Sequence, residues 1–288
     1  MTFAIKLIPL CDSCEKDIFP EVRAIFLIHP NILPCYKAWV ENGLPMFPSF
    51  QDDLKQMDLK CANTPTRILY LLLEECEGNL ESLSLRKEFV GPEILDIFQG
   101  CVNGLAYLHS KDLVHGDLSL KNIFMNAKGT AKIGDFGCVV EADGIPRPIG
   151  GVMKYLAPEI RKQLDDEKGL ITKASDVYSL SVVILELIYP APPGSTESER
   201  EHFLSNIKNS IFQEQTKVPR TVMDVRERML NPDPLGRPSA QSISSNICQI
   251  LVSFVCLLFP SLLLAISFSN QITFASGLHA SYLRFFGC

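Results

Sequence analysis

Two short motifs at a fixed separation constrain this chain more than any other feature of it. His115-Gly116-Asp117-Leu118-Ser119-Leu120-Lys121-Asn122 is followed about a dozen residues later by Asp135-Phe136-Gly137. Ala157-Pro158-Glu159, Asp176 and Arg237, the last in a PDPLGRP context, come after them in that order. A lone Asp-Phe-Gly is common by chance. The complete ordered set is not, and any fold for this chain has to account for all of it.

The hydropathy pattern around the motifs predicts an α+β chain, with a small strand-rich lobe joined to a larger helical one. Apolar runs at Phe3 to Ile8 and Ile32 to Val40 read as strands flanking a helical stretch from about Lys16 to Ile28. The polar, proline-containing stretch from Glu41 to Thr66 reads as a loop. RILYLLLE, Arg67 to Glu74, is a continuous apolar run that suits a buried strand. From Pro92 to Ser110, the residues Ile94, Leu95, Phe98, Val102, Leu105 and Leu108 fall on one side of a helix, with Pro92 near its first turn. Short strands are expected at Asn122 to Asn126 and at Ala131 to Gly134, around the turn Ala127-Lys128-Gly129. Asp176 to Tyr189 is apolar nearly all round and reads as a helix buried in the centre of the helical lobe.

In residue types and separation the two leading motifs resemble the catalytic loop and the metal-binding motif of protein kinases. The resemblance implies a two-lobed protein kinase fold and transfer of the ATP γ-phosphate to a protein hydroxyl. Catalysis of that reaction lies mainly in positioning and charge neutralisation. It implies that Asp117 orients the attacking hydroxyl and accepts its proton, and that Asn122 and Asp135 hold Mg2+, which requires hard oxygen ligands. Gly137 is expected to permit the sharp turn after the metal ligand, while His115 and Phe136 are expected to pack. Phe3-Ala4-Ile5-Lys6 resembles the strand that presents a Lys to the ATP phosphates, so Lys6 is assigned there. Glu21 is its expected helix partner, with Glu15 as runner-up. Glu74-Glu75-Cys76 takes the position of the hinge, where backbone groups of Glu74 and Cys76 pair with adenine and Leu73 borders the pocket. Glu159 and Arg237 resemble the buried ion pair that anchors the activation segment, and Asp176 is expected to hold the catalytic-loop backbone.

Several positions depart from the kinase pattern. No glycine-rich loop precedes Lys6 in this sequence, and the expectation is a truncated gene model rather than an inactive product. Gly116 stands where the Arg before the catalytic Asp usually pairs with a phosphate on the activation segment. Between Phe136 and Pro158 only Tyr155 carries a hydroxyl, so the two departures agree. Ser119 replaces the Lys with which serine/threonine kinases contact the γ-phosphate, and Lys121 lies where tyrosine kinases carry an Arg for that task. Val152 replaces the Thr that serine/threonine kinases place before Ala-Pro-Glu. The acceptor class is therefore not readable from the motifs.

Within the kinases, RILYLLLEECEGNL, LVHGDLSLKNIF, KIGDFGCVVE, SDVYSLSVVILEL, MLNPDPLGRPSA and Ala38-Trp39 together resemble the Wee family, most closely its membrane-associated Myt branch. That branch inhibits cyclin-dependent kinases by phosphorylating adjacent Thr and Tyr residues in their phosphate-binding loop. Kinases of the translation-initiation-factor alpha subunit share the Ala-Trp and Asn-Ile-Phe features, but typically keep the Arg before the catalytic Asp. A pseudokinase that binds a cyclin-dependent kinase without phosphorylating it is a further alternative.

The segment after the kinase region favours the Myt branch. No Asp, Glu, Lys or Arg occurs between Arg237 and Arg284. Within that stretch Ile247 to Phe268 is apolar and long enough, at about 1.5 Å per residue, to cross a hydrocarbon layer of roughly 30 Å. Pro260 is tolerated in a membrane helix. The expected organisation is a partial kinase N-lobe at 1–76, a C-lobe at 77–245, a transmembrane helix at 247–268 and a short tail at 269–288. By resemblance the anchor lies in endoplasmic reticulum or Golgi membranes, with the kinase domain in the cytosol. The 10 cysteines lie singly apart from Cys11 and Cys14, and read as reduced thiols rather than a zinc site or a disulfide framework. A net charge of −6 without a basic stripe argues against nucleic acid as a partner.

Overall fold

The apolar run at Arg67–Glu74 becomes the centre of a three-stranded antiparallel sheet, and this explains why it lacks alternation. In the computed structural model, which describes residues 2–10, 26–43, 67–142, 147–148, 151–164, 168–192, 194–209 and 220–247, β1 (Phe3–Leu10) and β2 (Cys35–Asn42) flank β3 (Arg67–Glu74) in the order β1-β3-β2. The β1 register runs from Phe3 opposite Glu74 to Leu10 opposite Arg67. Ile68, Leu69 and Leu71 of β3 are buried; Leu69 and Leu71 cluster with Leu10 of β1, and Ile8, Cys35, Ala38 and Leu73 pack against them.

The strand expected from Ile32 starts only at Cys35. Asn31 to Leu33 direct their backbone groups elsewhere: Leu33 donates to the Ile133 carbonyl at 2.7 Å, and the Ile133 amide donates to the Asn31 carbonyl at 2.9 Å. Pro34, which has no amide hydrogen to give a ladder, follows, and its carbonyl accepts from the Glu74 amide at 3.2 Å. The described end of the expected first helix, residues 26–28, is not helical. The rest of that stretch lies outside the described residues, as do Glu21, Glu15 and residues 44–66.

After β4 (Gly78–Asn79) and α1 (Leu80–Ser84), α2 (Gly91–Ser110) opens with Pro92 in its first turn, and the Glu93 carboxylate accepts from the Val90 amide at 3.0 Å. Its buried face includes Ile94, Ile97, Phe98, Cys101, Val102, Leu105 and Leu108. Gly104 lets α2 approach the loop after Ile28 closely, since a Cβ there would lie 2.6 Å from the Asn31 carbonyl oxygen. β5 (Leu113–Val114), β6 (Ile123–Met125), β7 (Ala131–Ile133) and β8 (Val140–Glu141) then form the short ladders β4-β6-β7 and β5-β8. β9 (Arg147–Pro148) pairs with β10 (Lys168–Gly169).

Among the remaining helices, α3 (Pro158–Arg161), α4 (Lys173–Ile188), α5 (Glu197–Asn209) and α6 (Arg220–Met229), α4 is the buried one. It starts three residues before the expected Asp176 because Thr172 caps it, accepting from the Ser175 amide at 3.3 Å. Among the described residues no helix is long and apolar enough to cross a membrane. Beyond its first residue, the segment 247–268 lies outside them.

Candidate active site

Asp176 in the first turn of α4 organises the loop that carries the first motif. Its buried carboxylate accepts from the His115 amide at 2.7 Å and the Gly116 amide at 2.9 Å, and His109 Nε2 lies 3.0 Å from it. A buried carboxylate is tolerated only when it is paired and hydrogen-bonded in this way. Gly116 sits at φ +78, where a Cβ would lie 2.8 Å from the Cys138 carbonyl oxygen. The position that lacks the usual Arg thus also lacks room for a side chain, because the loop and the segment after Gly137 meet backbone to backbone. His115 is fully buried; its Nε2 lies 3.0 Å from the Gly134 carbonyl oxygen and its ring 5.6 Å from that of Phe136.

Asp117, Asn122, Asp135 and Lys6 come together from three parts of the chain. Asn122 Nδ2 donates to the Asp117 carbonyl at 2.7 Å and to Asp117 Oδ2 at 3.0 Å. Lys6 on β1 reaches across to Asp135 Oδ1 at 2.7 Å. The sharp turn expected at Gly137 has its left-handed residue at Asp135 instead, with φ +57. Asp117 Oδ1 is buried without a hydrogen-bond partner among the described residues.

The two carboxylates are pushed in opposite directions. Burial raises the Asp117 carboxyl above the usual aspartate range, with weaker opposing pulls from His115, Asn122 and the Val152 amide, and with repulsion from Asp135. Burial acts the same way on Asp135, but the charge and hydrogen bond of Lys6, helped by His115 and the Gly137 amide, outweigh it and hold that carboxyl low. Neighbouring acids with diverging proton affinities suit one to proton acceptance and the other to permanent negative charge.

The donor set fits a divalent metal shared with a phosphate. Asn122 turns its nitrogen towards Asp117, which leaves its amide oxygen and the Asp135 carboxylate as hard ligands. Mg2+ is commonly held by one or two carboxylates together with substrate phosphates. No group of three or more His, Cys, Asp or Glu able to hold a metal occurs among the described residues.

The side chain of Lys121, next to Asn122 in the chain, is 60% exposed and makes an ion pair with Glu81 of α1 at 3.9 Å.

Glu74 is fixed by partners that the sequence did not advertise. Asn126 Nδ2 donates to Oε1 at 3.0 Å, while Lys132 Nζ lies 3.1 Å from Oε2 and donates to the Pro30 carbonyl at 2.9 Å. A single Lys inside a short apolar strand carries no spacing signal that marks it as a partner of the hinge. Burial, then the Glu74 charge, push the Cys76 thiol up to about 11, so it is protonated near neutral pH and suited to lining a pocket rather than reacting.

The far end of the activation segment is anchored twice. Arg237 forms a two-pronged pair with Glu159 at 2.6 and 2.7 Å and also donates to the carbonyls of Ala174, Asn231 and Pro232. Tyr155 is 4% exposed and donates its hydroxyl to Glu186 Oε2 at 2.6 Å. The one hydroxyl between Phe136 and Pro158 is therefore inaccessible to a phosphorylating enzyme. Phosphatase treatment is expected to leave activity unchanged, measured as the transfer rate before and after; a large loss restored by rephosphorylation at Tyr155 contradicts this.

Comparison with known proteins matches the protein kinase domain family to residues 1–247. The interferon-induced, double-stranded RNA-activated protein kinase of Rattus norvegicus is 29% identical over 86% of this chain and 47% of its own length. The probable cell cycle serine/threonine-protein kinase CDC5 homolog of Encephalitozoon cuniculi is 28% identical over 85% of this chain and 48% of its own. The membrane-associated tyrosine- and threonine-specific cdc2-inhibitory kinase wee-1.3 of Caenorhabditis briggsae is 27% identical over 82% of this chain and 32% of its own. The chain thus spans less than half the length of these relatives.

Proposed function

The chain belongs to the protein kinase family, and from that premise we propose that it is an inhibitory kinase of a cyclin-dependent kinase. Protein phosphorylation as such follows from the family. The observation that carries the assignment of the site is the meeting of Asp117 and Asn122 with the Lys6–Asp135 pair. In this reading Asp117 takes the proton from the acceptor hydroxyl, and Asn122 holds its carboxylate in place. Lys6 faces the ATP phosphates, and the backbone groups of Glu74 and Cys76 meet adenine. A divalent metal, expected as Mg2+, would be held by Asn122 and Asp135 and would neutralise phosphate charge.

The choice of substrate is supported by the Wee-like segments and by two relatives named as cdc2-inhibitory kinases, from Caenorhabditis briggsae and Drosophila melanogaster. Its test is transfer of labelled phosphate to a cyclin-dependent kinase with adjacent Thr and Tyr in its phosphate-binding loop. Label on those residues is expected. Equal labelling after both are replaced by Ala and Phe contradicts the assignment.

The same reading places the protein in endoplasmic reticulum or Golgi membranes through 247–268, with the kinase domain in the cytosol beside ATP and its substrate. A charge-free apolar stretch of that length would otherwise expose a surface that soluble monomers rarely carry. Carbonate extraction is expected to leave the protein in the membrane pellet. Release into the supernatant removes the anchor.

A further inference from the structure

One charged side chain breaks the pattern of α6, the helix that packs on α4. Val222, Val225 and Met229 are buried, while Asp224, Glu227 and Arg228 are exposed. That is the ordinary apolar stripe of a helix lying on a core. Arg226 comes four residues after Val222 and three before Met229, so it falls on the same side. It is only 7% exposed.

Its guanidinium lacks the partner that such burial requires. Nε is buried without a hydrogen-bond partner among the described residues. Burial pulls the group below the usual arginine range, opposed by Glu227, which is exposed, and by Tyr189 at the C-terminal cap of α4. Arginine stays protonated at neutral pH, so the charge is carried into the core instead of being shed. Two ordinary roles do not fit. An Arg that lays its stem on apolar surface keeps its head in water, whereas here Nε is enclosed. An Arg in the last turn of a helix can donate to the open carbonyls there, and Arg226 makes no such bond among the described residues. Its terminal nitrogens are not among the enclosed, unpartnered atoms. It is therefore the forked end of the group that meets the surface.

We propose that Arg226 is the floor of an anion-binding site at the junction of α4 and α6, taking one oxyanion, carboxylate or phosphate, end-on against Nη1 and Nη2. The fork of a guanidinium offers two parallel donors, a geometry that the oxygens of both groups match. With so little of the side chain exposed, the site admits a single oxyanion group. The bound charge offsets a buried one that is otherwise a penalty on the fold. Two sources carry this chemistry, a free phosphate ion and an acidic side chain of another protein. The site shares no residue with the Asp117, Asn122, Asp135 and Lys6 group and does not depend on the reading of that group.

The full chain is titrated with inorganic phosphate and with acetate, each against chloride at equal ionic strength. In protein carrying nitrogen-labelled arginine, the Nε–H resonance of Arg226 is assigned by its loss in Arg226→Lys and followed through each titration. A saturable shift with phosphate, with acetate or with both is expected. A shift with acetate extends the ligands to acidic side chains, and a shift with phosphate alone confines them to phosphate. Denaturant unfolding gives a second readout. Phosphate is expected to raise the midpoint of the unsubstituted protein by binding the folded state. Arg226→Met is expected to lose that part of the rise, and to have a higher midpoint in chloride because an apolar side chain of similar length removes the uncompensated charge. Phosphate held at Lys6 acts on both proteins alike, so the comparison cancels it. No saturable shift with either anion, or an equal phosphate effect in Arg226→Met, overturns the proposal.

Discussion

Asp117→Asn is expected to lower phosphoryl transfer by about a hundred- to ten-thousand-fold, the range lost with a general base, while the fold is retained. The substitution preserves shape, and the amide oxygen can still accept the hydrogen bond that Asn122 Nδ2 gives to Oδ2. What it removes is the ability to take a proton. Because burial raises the Asp117 carboxyl, the acid limb of the rate profile in the unsubstituted protein should lie at higher pH than an ordinary aspartate would give, with activity lost as that carboxylate protonates. Asp135 behaves oppositely. Its folded value is depressed, chiefly by Lys6 against the effect of burial. The stability it contributes is therefore present above the unfolded aspartate value and is lost as pH falls through the folded one. A near-normal rate in Asp117→Asn, measured with radiolabelled ATP, contradicts the assignment of the base.

The second large effect is on stability. Arg237→Ala is expected to cost about 3–5 kcal/mol, the usual consequence of removing one partner of a buried pair. The Arg237 side chain is 0% exposed and Glu159 20% exposed, so truncation strands a carboxylate together with the Ala174, Asn231 and Pro232 carbonyls. Against a total stability of about 5–15 kcal/mol, that loss should be plain in a denaturant titration. Arg237→Lys should recover only part of it, since an ammonium cannot make the two parallel bonds of a guanidinium. A loss below about 1 kcal/mol, the size expected of an exposed pair, contradicts the anchoring role.

What could be read in the sequence followed from how local each signal was. The central strand Arg67–Glu74 and the helix ending at Ser110 matched their expected bounds because a continuous apolar run and a 3.6-residue period are local patterns. The start of β2 was misjudged, because the backbone of Asn31 to Leu33 pairs with Ile133, about a hundred residues away in sequence. Fixed spacing picked out Asp117, Asn122 and Asp135, which the fold brings together with Lys6. It could not show that Lys121 would pair with Glu81, or that Lys132 and Asn126 would lock Glu74, because nothing in the identity or spacing of these residues marks them as partners. The reversal assigned to Gly137 fell on Asp135, where glycine's freedom was the misleading cue. Gly116 read as the loss of a phosphate-pairing Arg, and only the fold shows the second reason for glycine there, the Cys138 carbonyl oxygen 2.8 Å from where a Cβ would lie.

In the proposed function the Asp117, Asn122, Asp135 and Lys6 group transfers phosphate to protein rather than only binding nucleotide. The unsubstituted protein and Asp135→Asn, given the same radiolabelled ATP, Mg2+ and protein acceptor with nucleotide binding measured in parallel, distinguish the two. Labelled acceptor is expected from the unsubstituted protein and none from Asp135→Asn. An unsubstituted protein that binds nucleotide yet labels no acceptor contradicts phosphoryl transfer by this group.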